Sequence, residues 1–249
     1  VIFDTGSSDL WVKNGHFDAS SSSSAVTTDE IIPIEYGQGS VSGHEMVDTA
    51  SVGGLTLRDQ TFLVMASESG LSNIVADGVL GLAFPLLSHT GETVLQRMSS
   101  QTNISTFCFF LTGTQEGSYI IFGPPQPEWY VPGSLVYVPA RTGEWWAVDG
   151  TMTVGNTSNT TFQEGLFLLD SGTSYITAPT SMYVQFLEEI LPDGARSQCQ
   201  SDPKSNIWTC PCSLAAESNN VDVHVAGVKF TMRPEDFFTP LDDNSDSCV

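Results

Sequence analysis

The sequence predicts a mainly β protein with a few short helices, built from two related lobes with pseudo-twofold symmetry. Short runs of alternating or β-branched residues recur along the 249 residues, and 22 glycines and 13 prolines separate them. One short motif also occurs twice, at the start and in the second half of the chain. A hydrophobic share of 40% with 15% charged residues is typical of a globular protein, which excludes a disordered chain.

Six apolar runs have the period and composition of β-strands. They are Ile31 to Tyr36, Gln60 to Met65, Tyr119 to Phe122, Leu135 to Val138, Trp146 to Val154 and Val221 to Val225. Apolar residues at helical spacing predict two short helices, from Glu92 to Ser99 and from Pro179 to Leu191. The second helix is expected to have Thr180 or Ser181 as its N-cap, because a hydroxyl there can accept a backbone N–H.

The charge is strongly negative, since 29 Asp and Glu stand against 8 Lys and Arg, a net charge of −21. Such a field repels nucleic-acid phosphates and anionic lipid, so no nucleic-acid partner is expected. No apolar run reaches the length that a membrane-spanning helix needs. The acidic composition fits two interpretations, solubility or adaptation to an acidic medium, where many carboxylates are neutral and repel one another less.

Cysteines and glycosylation sequons indicate the secretory route. Four of the five cysteines lie in the last fifth of the chain, at Cys199, Cys210, Cys212 and Cys248. Three Asn-x-Ser/Thr sequons begin at Asn103, Asn156 and Asn159. Together they favour an oxidising compartment, so we expect a secreted glycoprotein, with a vacuole or lysosome as the alternative. The cysteine spacing matches neither a zinc site nor a redox motif, and no metal or cofactor is expected.

The internal repeat is the most informative feature. Val1 to Ser8 has three apolar residues followed by Asp-Thr-Gly-Ser-Ser, and Phe167 to Ser174 has three followed by Asp-Ser-Gly-Thr-Ser. A given four-residue string is expected roughly once in 10^5 positions, so two copies in matching contexts indicate a duplicated domain. The proline-rich stretch from Pro124 to Pro127 is the natural break, which predicts lobes of residues 1–123 and 124–249.

Each copy places a carboxylate at the end of an apolar strand, followed by a glycine that allows a tight turn and close backbone approach. A single copy would fit an ordinary Asx-turn, but the pair favours a functional interpretation. If the copies face each other, Asp4 and Asp170 meet and share one proton, because two carboxylates in contact cannot both ionise cheaply. The ionised partner can activate a water while the protonated partner polarises a carbonyl, which hydrolyses an amide without a metal.

On these two motifs the sequence resembles the pepsin-like aspartic proteases (family A1). Other segments with counterparts in that family are Ile34 to Ser40, which resembles its flap hairpin, Asp77 to Pro85, Gly117 to Gly123, and Trp145-Trp146. The resemblance implies a bilobal pepsin-like fold, peptide or protein substrates, a monomer, and a zymogen whose propeptide belongs to the precursor. Compared with the family, this chain is expected to be an internal stretch without the N- and C-terminal ends.

The resemblance also implies roles for individual residues. Asp4 and Asp170 would be the catalytic pair. The flap residues would be Tyr36, Gly37 and Gly39. Behind the pair would lie Gly6, Ser7, Trp11, Gly172 and Thr173. In that family the two glycines supply backbone donors, the two hydroxyls brace the carboxylates, and the tryptophan bonds the flap tyrosine.

The cysteines can be matched to the family in the same way. Its second-lobe disulfide would pair Cys248 with Cys212 or Cys210, and a Cys199–Cys210 bridge would close an extra loop. Cys108, between phenylalanines, is expected to be a buried free thiol.

The leading prediction is therefore an aspartic endopeptidase that hydrolyses internal peptide bonds at acidic pH. One alternative is a catalytically silent, peptide-binding protein of the same fold, which would have lost an Asp or a Gly from one motif; both motifs are intact here. The other is a two-carboxylate glycosidase, whose acids lie about 5 to 10 Å apart. That interpretation explains neither the repeat nor the flap, and activity on a glycan would be needed to support it.

Overall fold

A computed structural model describes residues 1–113, 116–155, 161–203, 207–242 and 245–249, without the side chains of 161–164. The predicted glycosylation sites at Asn156 and Asn159 lie outside the described residues. Strands dominate the described part of the chain, and its helices are few and short. The predicted mainly β class is confirmed.

Fifteen strands occur in the described residues. They are β1 (Ile2–Asp4), β2 (Leu10–Val12), β3 (Val26–Tyr36), β4 (Gly39–Val52), β5 (Leu55–Ser69), β6 (Gly78–Gly81), β7 (Phe107–Phe110), β8 (Tyr119–Phe122), β9 (Ala147–Val154), β10 (Thr161–Leu168), β11 (Gln200–Ser201), β12 (Trp208–Pro211), β13 (Val221–Val225), β14 (Val228–Met232) and β15 (Ser247–Cys248). The α-helices there are α1 (Val94–Thr102), α2 (Thr180–Ile190) and α3 (Pro234–Phe237). Single 3-10 turns lie at Ala19–Ser21, Pro85–Leu87, Pro127–Trp129, Ala195–Gln198 and Cys212–Glu217.

Internal contacts divide the chain into two compact units. The first comprises Val1–Ala147 and Leu168–Gly172, and the second comprises Val148–Phe167 and Thr173–Val249. The short stretch Leu168–Gly172 brings Asp170 of the second motif into the same unit as the first motif. These bounds differ from the predicted lobes of residues 1–123 and 124–249, and that division stays a prediction.

The first unit is built on a six-stranded sheet in the order β1-β6-β2-β5-β4-β3. Strands β3, β4 and β5 form an antiparallel meander, whereas β1 runs parallel to β6 and pairs Asp4 with Gly81. Two apolar clusters fill the unit, one around Trp11 and Leu63 and the other around Leu57. Full burial of one such side chain contributes roughly 1.5–3 kcal/mol to the free energy of unfolding. These clusters therefore stabilise the sheet whose strand β1 carries Asp4 at its end.

Helix α1 packs on this sheet through Met98, which is fully buried. Thr93 accepts the Gln96 N–H, and the Gln96 side chain accepts the Thr93 N–H, a reciprocal cap that starts the helix. The helix ends at Thr102, and its C-cap Asn103 has a φ of 60°, the left-handed conformation that asparagine tolerates well. The Asn103 sequon is therefore exposed at a helix end.

The second unit combines a four-stranded sheet, in the order β10-β9-β13-β14, with helix α2. Phe186 and Ile190 of α2 are buried in one apolar cluster with Val154 and Val221 of the sheet. A three-stranded sheet in the order β11-β12-β15 joins the same cluster through Cys210. The helix is thus held by strands from both sheets of this unit.

Two disulfide bonds fasten the second unit. Cys199 bonds Cys210, and Cys212 bonds Cys248. Of the two partners that the sequence left open for Cys248, the structure therefore forms the bond with Cys212. Cys108 is a free thiol but half-buried rather than buried, because β7 and β8 form a separate two-stranded sheet that gives it less cover.

Five of the six predicted strands overlap observed ones, and the stretch from Leu135 to Val138 does not. It is not part of any strand, and Val136 and Tyr137 are 47% and 83% exposed. An apolar run forms a strand only where a neighbouring strand accepts and donates its backbone hydrogen bonds. No strand of the described residues pairs with this stretch.

Both predicted helices form, with differences at their ends. Helix α1 begins two residues later than the predicted Glu92 and extends to Thr102. Helix α2 has Pro179 as its N-cap, without a side-chain cap bond, so the prediction of Thr180 or Ser181 is wrong. Proline suits a helix start because the N–H that it lacks would have no partner there. None of the helices in the described residues has the length and apolar character that crossing a bilayer requires.

The Cys212–Cys248 bond should contribute about 4 kcal/mol to the free energy of unfolding, because it closes a long loop in the unfolded chain. The Cys212→Ser/Cys248→Ser variant should therefore unfold at a clearly lower urea concentration, followed by far-UV circular dichroism. Cys108→Ser is the matched control and should change the free energy of unfolding by less than about 1 kcal/mol. Equal midpoints for the two variants would contradict this assignment.

Candidate active site

The first copy of the motif places Asp4 at the end of β1, where the chain turns. Only 7% of its surface is exposed. The Gly6 N–H donates to its Oδ1 atom at 2.8 Å, and the Ser7 hydroxyl donates to its Oδ2 atom. Both carboxyl oxygens of Asp4 are therefore oriented by residues of its own motif.

The second copy repeats part of this arrangement around Asp170, two residues after β10. The Gly172 N–H donates to the Asp170 Oδ1 atom at 2.8 Å. Asp170 is half-buried and so more accessible than Asp4. Because Leu168–Gly172 belongs to the first unit, both aspartates lie in one compact unit.

Hydrogen bonds between the hydroxyl residues next to the two aspartates hold the copies together. The Thr5 hydroxyl donates to the Leu169 carbonyl at 2.7 Å and accepts the Ser171 N–H at 2.8 Å. In return, the Ser171 hydroxyl donates to the Phe3 carbonyl at 2.7 Å and accepts the Thr5 N–H at 3.1 Å. Each hydroxyl acts as donor and acceptor at once, which a carboxylate or an ammonium group in its place could not do.

The glycines of the two motifs allow the two carboxyl groups to meet. A Cβ atom added to Gly6 would lie 2.6 Å from the carboxyl carbon of Asp170, and one added to Gly172 would clash with Oδ1 of Asp4. Any larger residue at either position would push the opposite carboxyl group away. Each glycine therefore bonds the aspartate of its own copy and makes room for the aspartate of the other.

Burial raises the pKa of Asp4 above its ordinary value, because the charged form loses its water there. The hydrogen bonds from Ser7 and Gly6 lower this pKa, while charge repulsion and a hydrogen bond with Asp170 raise it. The net direction is upward. A hydrogen bond between two carboxyl groups requires a proton on one of them, so the pair holds one proton where an exposed aspartate would have lost its own.

A tyrosine from the β3–β4 hairpin is anchored beside this pair. Tyr36 ends β3, and its hydroxyl accepts the indole N–H of Trp11 at 2.8 Å. Burial raises the pKa of Tyr36, and the nearby charge of Asp4 raises it further, so the hydroxyl remains protonated. Trp11 is fully buried in the sheet, whereas Gly37 in the following turn is exposed. The tyrosine thus connects the exposed turn to the core.

The turn of this hairpin packs against the end of β5. A Cβ atom at Gly39 would clash with the carbonyl oxygen of Ser69, and one at Gly70 would clash with the carbonyl oxygen of Gln38. Gly37, in contrast, has open space where its Cβ would be. Of the two predicted flap glycines, Gly39 is therefore required for backbone packing and Gly37 is not.

Most of the residues predicted for the site belong to the first unit, but one does not. Thr173 is the first residue after the break between the units, and its surface is exposed. Sequence reasoning missed the cross-bonds of Thr5 and Ser171, although both positions keep a hydroxyl in the two copies of the motif. That shared hydroxyl was the available signal.

The arrangement provides the parts of acid–base chemistry. Two carboxyl groups with one proton can accept a proton from a water and donate one to a second molecule, and the Tyr36 hydroxyl lies close by. No group of three or more His, Cys, Asp and Glu side chains suited to a metal ion occurs in the described part of the chain.

Comparisons with known proteins agree on one family. A family model for eukaryotic aspartyl protease matches residues 1–249. Pepsin A of Gallus gallus is 32% identical over 250 residues, covering 93% of this chain and 65% of that protein. Phytepsin of Hordeum vulgare is 36% identical over 222 residues, covering 80% and 43%. Vacuolar protease A of Neurospora crassa is 29% identical over 266 residues, covering 100% and 64%. The chain thus spans about two thirds or less of the length of these relatives.

Ser7→Ala should raise the pKa of Asp4 further, because it removes a hydroxyl donor that favours the ionised carboxylate. A titration followed by carbon-13 NMR of the aspartate carboxyl groups measures this pKa. Ser100→Ala is the matched control, since the Ser100 hydroxyl donates to the backbone of α1 instead, and it should leave the Asp4 pKa unchanged. An Asp4 pKa that stays the same or falls in Ser7→Ala would show that Ser7 does not stabilise the carboxylate.

Gly39→Ala should lower the free energy of unfolding by about 1–3 kcal/mol, because the new methyl group meets the Ser69 carbonyl. Gly37→Ala, in the same turn, should change it by no more than about 0.5 kcal/mol. Urea unfolding of the two variants side by side tests the difference. Equal losses would mean that the turn does not pack against β5 as described.

Proposed function

We propose a function for this chain, which belongs to the eukaryotic aspartyl protease family: it is an aspartic endopeptidase that hydrolyses internal peptide bonds at acidic pH. Proteases of this family are hydrolases that act on peptide substrates. The observation that carries the proposal is the contact between the carboxyl groups of Asp4 and Asp170, which two copies of one motif supply and the Thr5 and Ser171 hydroxyls hold. A silent peptide-binding relative is disfavoured, because both motifs are complete.

In the proposed mechanism the two carboxyl groups act as one acid–base unit. The ionised carboxylate takes a proton from a water as the water oxygen attacks the carbonyl carbon of the peptide bond. The protonated carboxyl gives its proton to the carbonyl oxygen. The tetrahedral diol then collapses: the carboxyl group that took the water's proton gives it to the amide nitrogen, and the C–N bond breaks. The other carboxylate takes a proton from a diol hydroxyl as the new carboxyl product forms, so the pair again holds one proton. The proton belongs to the pair, so neither Asp4 nor Asp170 is assigned one fixed role.

The β3–β4 hairpin supports a role in covering the substrate. Gly37 and Gln38 at its turn are exposed, so their backbone groups are accessible to an extended peptide. Gly39 rests on the backbone of β5, and Tyr36 is bonded to buried Trp11. We propose that the turn closes over the peptide while its base stays fixed, which excludes bulk water from the carboxyl pair.

The acidic pH range is supported by the charges of the chain. Below the pKa of an aspartate in the unfolded chain, Asp4 is protonated in both the folded and the unfolded state. Its burial then does not lower the free energy of unfolding through ionisation. As the pH rises through its raised folded-state pKa, ionisation of the buried group costs stability. With a net charge of −21, repulsion across the whole chain also increases with pH. Both effects favour work in an acidic medium.

The resemblance to the family supports further proposals about single residues and about the precursor. We propose that each of the lobes 1–123 and 124–249 carries one copy of the motif. We also propose that Thr173 braces the carboxyl group of Asp170. We also propose N-glycosylation at Asn103, which is exposed at the end of α1. A secreted or a vacuolar enzyme fits the two disulfides, and one relative is named a vacuolar protease. A monomeric state and a propeptide in the precursor are proposed from the family.

Asp4→Asn and Asp170→Asn should each lower the rate of cleavage of denatured haemoglobin by roughly 100- to 10,000-fold, the contribution of one general acid or base. The assay is run at about pH 4, near the ordinary pKa of a carboxyl group. Asp18→Asn is the matched control, because Asp18 caps an exposed 3-10 turn, and it should keep the unsubstituted rate within about twofold.

Far-UV circular dichroism of each variant separates loss of chemistry from loss of fold. A peptide analogue with a hydroxyl-bearing tetrahedral carbon in place of the amide should inhibit the enzyme, because it resembles the diol. Undiminished cleavage by either aspartate variant, or no cleavage by the unsubstituted chain, would contradict the proposed function.

A further inference from the structure

A second buried aspartate, five residues after Asp4, has partners that the proposed mechanism does not use. Asp9 precedes β2 and is 1% exposed. Its Oδ1 atom accepts hydrogen bonds from the Ser88 and Thr90 hydroxyls at 2.8 and 2.9 Å and from the Thr90 N–H at 3.0 Å. Its Oδ2 atom lies 2.8 Å from Nδ1 of His89, whose backbone N–H donates to both oxygens at 3.0 and 3.1 Å.

These contacts make Asp9 a charged anchor for one loop. Burial alone would raise the pKa of Asp9, but the hydrogen bonds from His89, Ser88 and Thr90 outweigh it and hold the pKa below its ordinary value. Hydrogen bonds to an ionised carboxylate are about twice as strong as neutral ones. Five donor groups from three consecutive residues therefore fix the loop 88–90 to the chain segment that follows the first motif.

The loop continues a segment that supports the first motif. This central segment, Gly81–Phe84, leads into the loop through one 3-10 turn. The Leu82 N–H donates to the Asp4 carbonyl at 2.7 Å, and the Ala83 N–H donates to the Ser7 carbonyl at 2.8 Å. The position of the central segment therefore sets the backbone from which the Asp4 carboxyl and its Ser7 donor project.

The central segment also supports the second motif, through Trp146. The Trp146 indole N–H donates to the Leu82 carbonyl at 2.8 Å, and its ring packs on Phe84 with centroids 4.4 Å apart. The Trp146 carbonyl accepts the N–H of Leu169, the residue before Asp170, at 3.0 Å. The backbones of both aspartates thus converge on one segment, and Asp9 anchors the loop at its end.

We propose that Asp9 is a positioning residue for the reacting pair: its carboxylate anchors the loop 88–90, and through the central segment it sets the relative orientation of Asp4 and Asp170. The proposal rests on the proposed function, because Asp9 would affect the rate at which this pair hydrolyses peptide bonds. Asp9 acts through the backbone and takes no part in proton transfer.

Asp9→Ala should lower kcat for peptide cleavage about 10- to 100-fold and change KM less than about threefold, because a displacement of the reacting groups by about 1 Å costs the chemical step more than binding. It should also raise the pKa of Asp4 in the carbon-13 NMR titration, because the Ser7 donor moves with the central segment. Asp9→Asn keeps one acceptor oxygen for the Ser88 and Thr90 donors and should recover most of kcat.

Asp48→Ala is the matched control. Asp48 is another buried aspartate of the first unit, on β4, where it accepts the Ser24 hydroxyl at 2.6 Å and the Thr49 N–H at 2.7 Å. Its removal should lower the temperature of unfolding without changing kcat or the Asp4 pKa. If Asp9→Ala does not fold, Ser88→Ala/Thr90→Ala removes donors while the carboxylate remains, and the same loss of kcat and rise of the Asp4 pKa are expected.

An unchanged kcat and an unchanged Asp4 pKa in the folded Asp9→Ala or Ser88→Ala/Thr90→Ala variant would overturn the proposal. An equal loss of kcat in Asp48→Ala would also overturn it, because the effect would then be general destabilisation. If the unsubstituted chain cleaves no peptide, the proposed function fails, but the titration of Asp4 still decides the role of Asp9.

Discussion

The reciprocal hydrogen bonds of Thr5 and Ser171 are the constraint on which the rest of the site depends. Two carboxyl groups at contact distance repel each other whenever both are ionised, so they remain together only if their backbones are held. Each neutral hydrogen bond contributes about 0.5–1.5 kcal/mol, and the bonds made by these two hydroxyls act in both directions between the copies. Both hydroxyls are neutral, so this connection places no additional charge beside the two carboxyl groups.

The Asp-x-Gly order of the motif follows from the same constraint. The third residue must place its N–H on the aspartate of its own copy and leave space for the aspartate of the other copy. Only glycine does both, because any Cβ at Gly6 or Gly172 would occupy the place of the opposite carboxyl group. Two copies of the short Asp-x-Gly motif therefore predict a contact between two aspartates that lie far apart in the sequence.

The features that could be predicted from the sequence depend on local order: the mainly β class, the paired motifs and the hairpin that turns after Tyr36. The cross-bonds of Thr5 and Ser171 could not be assigned, since the partner of a hydroxyl is set by which segments meet in the folded unit. The stretch from Leu135 to Val138 has the composition of a strand but lacks a pairing neighbour. Asp9 could not be distinguished from a surface aspartate, because its donors lie about 80 residues away along the chain.

Asp4 and Asp9 show that burial alone does not decide the charge of a carboxyl group. They are 7% and 1% exposed, but the pKa of Asp4 is raised and that of Asp9 is lowered. Burial penalises both anions; five donor groups compensate Asp9, whereas Asp4 has two donors and faces a second acid. The stability that ionised Asp9 contributes is present above the pKa of an unfolded aspartate and is lost only as the pH falls through its lowered folded-state pKa. Over the acidic range between these two shifted values, Asp9 is charged while the pair of Asp4 and Asp170 still holds a proton. One short segment therefore carries both a fixed anion for structure and one member of the proton-sharing pair.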